Sequence, residues 1–172
     1  MIWYVALIAA VALERLVELV VSNRNRAWSV SKGGLETGAG HYPVMVALHT
    51  ALLAGCLIEA IALHRPFVPL LGWLMVAAVL AAQGLRWWCI GTLGPQWNTR
   101  VIVVPDLPLV TSGPYRLLRH PNYLAVVTEG VALPLVRSAW ITAALFTFLN
   151  ALLLWHRIRV EDRALGVLAG ST

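Results

Sequence analysis

The chain has 172 residues, of which 59% are hydrophobic and only 12% charged, and its net charge is +5. Soluble domains are typically about 45–50% apolar and about 25% charged, so this composition excludes an ordinary soluble fold and indicates a membrane protein. The basic residues are scattered between apolar segments and form no run, which argues against binding to nucleic acid. We expect one integral membrane domain over residues 1–172.

Five apolar segments are candidates for transmembrane helices. A span needs about 20 mostly apolar residues, and the predicted spans cover residues 2–21, 43–63, 68–90, 123–136 and 139–156. The fourth is short unless it tilts or extends at its ends. The first lacks a basic n-region and a cleavage site, so we interpret it as a retained span rather than a signal peptide. The sequence therefore predicts an all-α, polytopic fold with about five transmembrane helices.

The connections between these spans differ in length and in charge. Only Arg137 and Ser138 separate the last two spans, which predicts a tight antiparallel hairpin. The segments 22–42, 91–122 and 157–172 carry most of the basic side chains outside the spans, whereas the other side holds only Arg65 and Arg137. The positive-inside rule makes the basic side cytoplasmic. The N-terminus is thus predicted outside and the C-terminus in the cytoplasm, as an odd number of spans requires.

Ionisable side chains inside the predicted spans are costly and often functional. In the first span, Glu14 and Glu18 are four residues apart and share a helix face, and Arg15 can reach Glu18. We interpret these residues as an internal ion pair that also grips another helix.

The polar residues of the second and third spans are interpreted as structural too. His49 is expected to make a polar contact with the first helix, and Glu59 is expected to be hydrated near the outer surface. Arg86 lies about one turn from the cytoplasmic end, so it is predicted to snorkel to the interface. Cys56 and Cys89 lie in apolar surroundings and are predicted to be small buried or lipid-facing hydrophobes.

The most informative segment covers residues 109–123, a polar and turn-rich stretch between apolar spans. Pro114 and Pro121 break any helix here. His120 immediately precedes Pro121 and would be the N-cap of the fourth helix, whose positive dipole end then points into this segment. A carboxylate or a similar anion could bind there.

The tail supplies a second polar group directly after the fifth span. It begins with two arginines and two acids: Arg157, Arg159, Glu161 and Asp162. By itself this pattern favours a cap of snorkelling arginines with solvated acids. Because the last two spans form a hairpin, however, the start of the fourth helix and the end of the fifth are neighbours. The side chains predicted to converge at the cytoplasmic surface are His120, Tyr123, Arg157 and Glu161.

Such a site offers carboxylates for an amine or a ribose, a histidine and a helix terminus for an anion, and tyrosines for stacking. That inventory fits a zwitterionic cofactor with nucleoside or amino-acid character. The chain contains no GxGxxG after a strand, no P-loop, no GxSxG and no HExxH. Its two cysteines lack the spacing of metal ligands. The residues by themselves indicate this class of ligand and no particular reaction.

Two motifs resemble those of the isoprenylcysteine carboxyl methyltransferases, a family of integral membrane methyltransferases. The first is LVTSGPY followed by RHPNY, between Leu109 and Tyr123, and the second is RIRVED, from Arg157 to Asp162. They stand in the family's order with a helical hairpin between them, and together cover about the C-terminal half of the chain. Asp162 replaces a second glutamate, which preserves the charge but shortens the reach.

The resemblance implies S-adenosylmethionine as the cofactor, bound on the cytoplasmic face, and a lipophilic small-molecule substrate that enters from the bilayer lipids. It places these residues at the cofactor: Leu109, Val110, Gly113, Pro114, Tyr115, His120, Pro121, Tyr123, Glu161 and Asp162. Arg157 and Glu161 would be the catalytic residues, because they would orient the methyl acceptor.

Features of the N-terminal half are similar to a bacterial branch of this family, which is associated with type III polyketide synthases and O-methylates long-chain alkylpyrones. They are the sequence ERLVE from Glu14, residues 22–25, His41-Tyr42-Pro43 and His49. The resemblance implies an enzyme of the bacterial inner membrane that acts on the 4-hydroxyl of an alkylpyrone or a related alkylresorcinol. Since a 4-hydroxypyrone is largely an anion at neutral pH, no strong general base is required.

Two alternatives stay open. With the same cofactor, the acceptor could instead be the carboxylate of a prenylated cysteine or another isoprenoid acid. The chain could also be an inactive membrane scaffold or transporter subunit. The intact order of both motifs argues against a scaffold, and the location of the most polar cluster at the face, rather than within the spans, argues against a transporter. Residues 22–42 are either a pliable lid or a simple connector.

Overall fold

The fold is a set of helices joined at one end by a small sheet. The computed structural model describes residues 1–105 and 107–169; residues 170–172, the end of the predicted tail, lie outside the described residues. The elements of the described ranges are α1 (Ile2–Ser31), β1 (Leu35–Thr37), α2 (Tyr42–Ala62), α3 (Pro69–Leu93), β2 (Val101–Val103), α4 (Pro121–Leu135) and α5 (Trp140–Ala169). Helices therefore lie at all five positions that the sequence predicts.

Within the described residues, three helical segments are long and apolar enough to cross a membrane: Tyr42–Ala62, Pro69–Gln96 and Trp140–Ala164. Large apolar side chains on them face outward, including Trp73 and Phe148, which are 62% and 65% exposed. Such surfaces are expected to face lipid. By contrast, α1 carries five charged residues between positions 14 and 26, and the 15 residues of α4 span only about 22 Å. A total of five spans thus stays a prediction.

The first helix continues to Ser31, well beyond the predicted end at position 21. Its polar residues bond to the segment that follows α3. The Ser22 hydroxyl lies 2.8 Å from that of Thr99, and Asn25 Nδ2 donates to the carbonyl oxygen of Trp97 at 2.8 Å. The prediction that a loop starts at residue 22 was wrong, because these polar side chains find partners in the protein and allow the helix to continue.

A two-stranded antiparallel sheet connects the segment after α1 to the segment after α3. β1 pairs with β2 so that Glu36 lies opposite Ile102. The Glu36 carboxylate also accepts hydrogen bonds from Arg100 at 2.6 Å and from Arg26 at 3.1 Å. The fold is therefore mostly helical rather than all-α. Both strands contact α5, so the two long connections and the last helix meet at one end of the molecule.

The tight hairpin between α4 and α5 is confirmed. Ser138, with φ of +52°, makes the turn. The Glu59 carboxylate accepts hydrogen bonds from the backbone N–H groups of Ile141 and Thr142 at 3.2 and 2.7 Å, and Arg65 lies 2.7 Å from it. Glu59 is only 6% exposed, so the expectation of a hydrated side chain was wrong. A helix N-terminus and an arginine take the place of water.

The apolar core lies near this hairpin turn. Tyr4 is fully buried, and its hydroxyl donates to the carbonyl oxygen of Leu133 at 3.1 Å. Gly130 allows close approach of α5, since a Cβ at this position would lie 2.1 Å from the Phe146 ring. Cys56 is buried in this core, which confirms its interpretation as a small hydrophobe. The packing holds α4 and α5 side by side, so the start of α4 and the end of α5 are neighbours.

Candidate functional site

A cavity of about 410 Å³ lies between β2, the segment before α4, the start of α4 and the end of α5. We call it the polar cavity. Most residues predicted to bind the cofactor or to act in catalysis line it: Leu109, Val110, Tyr115, His120, Pro121, Tyr123, Arg157, Glu161 and Asp162. The structure thus brings together residues from both sequence motifs.

Gly113 and Pro114 do not line the polar cavity; they shape the turn before it. Pro114 is buried, and Gly113 has φ of +55°, a conformation that favours glycine. A Cβ on Gly113 would lie 2.6 Å from the Thr92 hydroxyl oxygen of α3. These two residues therefore position Tyr115, the next residue, which does reach the cavity. Burial raises the pKa of the Tyr115 phenol, so this hydroxyl stays protonated.

Acidic and aromatic side chains from α4 and α5 meet across the polar cavity. The Tyr123 hydroxyl donates to Glu161 at 2.5 Å. The His120 ring stacks on the Tyr123 ring with centroids 5.4 Å apart, and its nitrogens lie 3.9 Å from Glu161 and 3.4 Å from Asp162. The side chains of Glu161 and Asp162 are 31% and 39% exposed, so a ligand can reach these carboxylates. Asp162 Oδ1 is itself buried and has no hydrogen-bond partner among the described residues.

Arg157 stands at the inner limit of the polar cavity. It is 6% exposed, and its Nη2 donates to the carbonyl oxygen of Thr99 at 2.7 Å. Its guanidinium carbon lies 5.6 Å from the centre of the Tyr123 ring. Its Nε has no hydrogen-bond partner among the described residues. Arg157 therefore presents a buried positive charge that can still donate a hydrogen bond.

A second cavity of about 370 Å³ adjoins the first and lies among α1, α2, α4 and α5. We call it the apolar cavity, because leucine, valine and alanine side chains make up much of its wall. Five residues line both cavities: Trp97, Asn98, Asn122, Tyr123 and Arg157. A polar space and an apolar space thus share one boundary, where Tyr123 and Arg157 lie.

A buried group of charged side chains also borders the apolar cavity. This charge cluster consists of Arg15, Glu18, Arg86 and Glu129. Arg15 donates to Glu18 at 2.6 Å and to Glu129 at 2.5 Å, and Arg86 donates to Glu129 at 3.0 Å. The prediction that these residues of the first helix bind another helix is confirmed. That other helix is α4.

The charge cluster corrects two expectations. Arg86 is 3% exposed, so the prediction that it snorkels to the interface was wrong, because two carboxylates compensate its charge inside the protein. The interpretation that the most polar cluster lies at the face, rather than within the spans, overlooked this second polar group, which is buried among the helices. His49 was predicted to bond to α1, but its Nδ1 lies 2.9 Å from the carbonyl oxygen of Met45 in its own helix.

Several polar residues of the cavity walls were not predicted from the sequence, among them Asn122, Glu129 and Asn150. A signal existed for Glu129, which is the one ionisable residue between positions 123 and 136. Asn122 stands within the RHPNY motif, although the resemblance gave it no role. Asn150 stands in the apolar part of α5, and only the packing of this helix shows that it faces the cavity.

Known proteins support the resemblance found in the motifs. The chain matches the isoprenylcysteine carboxyl methyltransferase family over residues 73–167, which includes both motifs and most of the polar cavity. The chain belongs to this family. The family is one of membrane methyltransferases, which supports an enzymatic function and agrees with the three apolar helices.

Similarity to individual proteins extends into the N-terminal half. An uncharacterized protein of Bacillus subtilis (strain 168), YpbQ, is 38% identical over 160 residues, which cover 92% of this chain and 94% of that protein. An uncharacterized protein of Haemophilus influenzae (strain ATCC 51907 / DSM 11121 / KW20 / Rd) is 25% identical over 158 residues, 91% of each chain. No solved structure matches the chain. The relatives' names state no substrate, so the alkylpyrone branch stays a prediction.

Proposed function

We propose that the protein uses S-adenosylmethionine to O-methylate a lipophilic acceptor in the bacterial inner membrane. The observation that carries this proposal is the shared boundary of the two cavities. The polar cavity suits a charged cofactor, and the apolar cavity suits a lipid-like acceptor. Methyl transfer requires the reacting atoms to approach within about 3–3.5 Å and in line. Tyr123 and Arg157 lie where two such ligands would meet.

The groups of the polar cavity fit S-adenosylmethionine. Glu161 and Asp162 can accept hydrogen bonds from an ammonium group or from ribose hydroxyls. The boundary also holds buried polar atoms with no partner in the part of the chain that the structure describes, among them Trp97 Nε1 and Asn98 Oδ1. Buried polar groups are normally satisfied, so these atoms favour a polar ligand at this position.

The chain's own residues would bind, orient and dehydrate the reactants. When bound, S-adenosylmethionine supplies a methyl group on a positively charged sulfur. Arg157 would hold an anionic acceptor oxygen at the boundary, because its guanidinium is buried and has a free donor. Its bond to Thr99 fixes that guanidinium in place. The apolar walls exclude water, which would otherwise solvate and weaken the nucleophile.

The acceptor we favour is the 4-hydroxyl of a long-chain alkylpyrone or a related alkylresorcinol. Such a molecule combines an apolar tail with an oxygen that is readily anionic, which matches the apolar cavity and Arg157. A type III polyketide synthase would supply it. The carboxylate of a prenylated cysteine has the same two features and is the alternative acceptor. Basic residues flank the sheet and the start of α4 and lie near the end of α5: Arg26, Lys32, Arg100, Arg116, Arg119, Arg157, Arg159 and Arg163. We therefore place this end in the cytoplasm, with the N-terminus outside.

Transfer of a labelled methyl group tests the proposal. Purified protein in detergent is incubated with methyl-labelled S-adenosylmethionine and either an alkylpyrone or farnesylcysteine. We expect label in the pyrone, and a loss of rate of roughly 100-fold in Arg157→Gln. Arg159→Gln is the matched control, because Arg159 is an exposed arginine of the same helix outside both cavities.

The outcomes separate the hypotheses. Label in farnesylcysteine alone would exclude the pyrone but keep the methyltransferase. If neither acceptor is labelled and S-adenosylmethionine does not bind to the folded protein, the proposed function is overturned and a scaffold is favoured.

A further inference from the structure

The apolar cavity has a second polar end, away from the polar cavity. On α4, Asn122 lies at the boundary and Glu129 lies seven residues deeper; on α5, Arg157 lies at the boundary and Asn150 lies seven residues deeper. Seven residues of α-helix measure roughly 10 Å. The two helices are antiparallel, so Glu129 and Asn150 reach a similar depth. Between the two ends the walls are apolar.

At this inner end, Asn150 has an unsatisfied hydrogen-bond acceptor in the part of the chain that the structure describes, and His49 can offer a second acceptor. Asn150 is 2% exposed, and its Oδ1 has no partner in the described ranges. His49 lines the same cavity, and its Nδ1 lies 2.9 Å from the carbonyl oxygen of Met45. Since a carbonyl oxygen only accepts, Nδ1 must carry the hydrogen, and the neutral ring then offers Nε2 as an acceptor. A ligand group that donates a hydrogen bond would satisfy a buried atom that the protein leaves unsatisfied.

The neighbouring charges do not favour an anion at the inner end. The guanidinium groups of Arg15 and Arg86 lie among three carboxyl groups, those of Glu14, Glu18 and Glu129. The arginines already have acidic partners, so the surroundings offer no free positive charge that would attract an anionic ligand group. A neutral hydroxyl needs no counter-ion, and it can donate to one group while accepting from another.

We infer that the inner end of the apolar cavity is a second recognition site for the methyl acceptor, selective for a neutral hydroxyl group roughly 10 Å from the methylated oxygen. This inference rests on the proposed function, because it assumes that the acceptor occupies the apolar cavity. Asn150 and His49 would determine specificity without contacting the reacting atoms. The preferred acceptor would then carry a hydroxyl on its apolar chain, and a hydroxylating reaction would have to precede methylation.

Binding of two probes tests this inference. Both are 6-alkyl-4-hydroxy-2-pyrones of equal chain length, and one carries a chain hydroxyl about 10 Å from the ring hydroxyl. Their affinities for purified protein are measured with and without S-adenosylhomocysteine, the demethylated cofactor, so the result does not depend on turnover. We expect the hydroxylated probe to bind roughly tenfold tighter. Equal affinities, or failure of both probes to bind, would contradict the second site.

Variants assign the preference to named residues. Asn150→Leu should abolish the preference for the hydroxylated probe. Its thermal midpoint of unfolding without ligand, and its affinity for S-adenosylhomocysteine at the polar cavity, report that the variant is folded. His49→Phe should reduce the preference. Thr50→Val is the matched control, since Thr50 lines the same cavity but its hydroxyl donates to the Val46 carbonyl of its own helix at 2.9 Å. A preference that survives in Asn150→Leu overturns the inference.

Failure of this inference and failure of the proposed function give different results. If no S-adenosylmethionine binds, the methyltransferase proposal fails, while the difference between the probes can still be measured. If both probes are methylated and bind equally well, the methyltransferase proposal survives and the second site does not.

Discussion

The protein contains two groups of acids and bases that differ in how fully they neutralise one another. In the charge cluster, side chains of 3–17% exposure are joined at 2.5–3.0 Å. Around the polar cavity, His120 lies 3.4–3.9 Å from Asp162 and Glu161, whose side chains are 31–39% exposed. Charges in an apolar interior must be compensated by other protein charges, whereas water or a ligand can compensate those at the polar cavity.

This contrast separates a structural role from a binding role for residues of the same chemistry. A change in the charge cluster should lower stability, because it leaves a buried charge without its partner. A change at the polar cavity should weaken ligand binding and leave the fold nearly unaltered. Stability and ligand binding can both be measured for each variant, so the distinction between a structural and a binding role can be contradicted.

The largest effect is expected for Arg86→Leu. This substitution leaves Glu129 and Glu18 with Arg15 as their remaining partner, and breaking a buried ion pair typically costs about 3–5 kcal/mol. The thermal midpoint of unfolding in detergent measures the loss. Arg24→Leu is the control, because Arg24 is an exposed arginine of α1 whose loss should change stability by no more than about 0.5 kcal/mol.

A second substitution sharpens this test. Glu129→Gln removes one of the carboxylates that Arg86 neutralises, so Arg86→Leu combined with Glu129→Gln should be less destabilised than Arg86→Leu alone. If the losses of stability in the two single variants simply add in the double variant, the charge cluster is not a coupled electrostatic unit. The difference in role between the charge cluster and the polar cavity then disappears.

Glu161→Gln should instead weaken ligand binding and leave the stability of the fold nearly unchanged. Loss of a charged hydrogen-bond acceptor typically weakens binding by about 1.5–3 kcal/mol, or roughly 10- to 100-fold in the affinity for S-adenosylmethionine. The thermal midpoint without ligand should hardly change, since the carboxylate is partly exposed. Tyr123→Phe keeps the carboxylate and removes only its bond to the phenol, so a smaller loss of affinity is expected. Unchanged affinity in both variants would remove Glu161 from the site.

The meeting of the two motifs could be predicted because it depends on local features. The sequence predicts a connection of two residues, and the structure has four, from 136 to 139. So short a connection makes a helical hairpin almost unavoidable, and a hairpin brings the start of one helix beside the end of the other. His120 and Glu161 are therefore neighbours by connectivity, although they stand 41 positions apart. Gly113 shows that a residue of the family motif need not contact the ligand. Its backbone conformation shapes the turn, but the residue does not line the polar cavity.

The partners of the buried polar residues could not be predicted in the same way. Sequence spacing identifies neighbours within one helix, such as Arg15 and Glu18. It does not show that Arg86 pairs with acids of α1 and α4, or that Glu59 accepts hydrogen bonds from the start of α5. Which helices pack together decides whether an arginine snorkels or is neutralised inside. The three-residue strands β1 and β2 escaped prediction because so short a pairing joins distant segments and leaves no periodic pattern.

The smallest effect is expected at Glu36, and it tests whether distance or burial distinguishes the two groups. Its bond to Arg100, at 2.6 Å, is as short as those in the charge cluster, but Arg26, its other partner, is 47% exposed. The hydrogen bond from Arg100, assisted by Arg26, lowers the pKa of Glu36. Because the pKa is lower in the folded state, the stabilisation is complete above the ordinary carboxyl pKa and disappears as the pH falls through the lowered value.

Glu36→Gln should therefore lower the stability by less than about 1 kcal/mol at neutral pH, and this difference from the natural chain should vanish in acid. Thermal midpoints of both proteins from neutral pH down into the acid range measure it. A loss as large as that of Arg86→Leu would mean that short distance is sufficient for a strong ion pair in this protein. A difference that does not change with pH would show that Glu36 acts through packing of the sheet rather than through its charge. If the loss is small and confined to higher pH, burial is what makes the charge cluster structural.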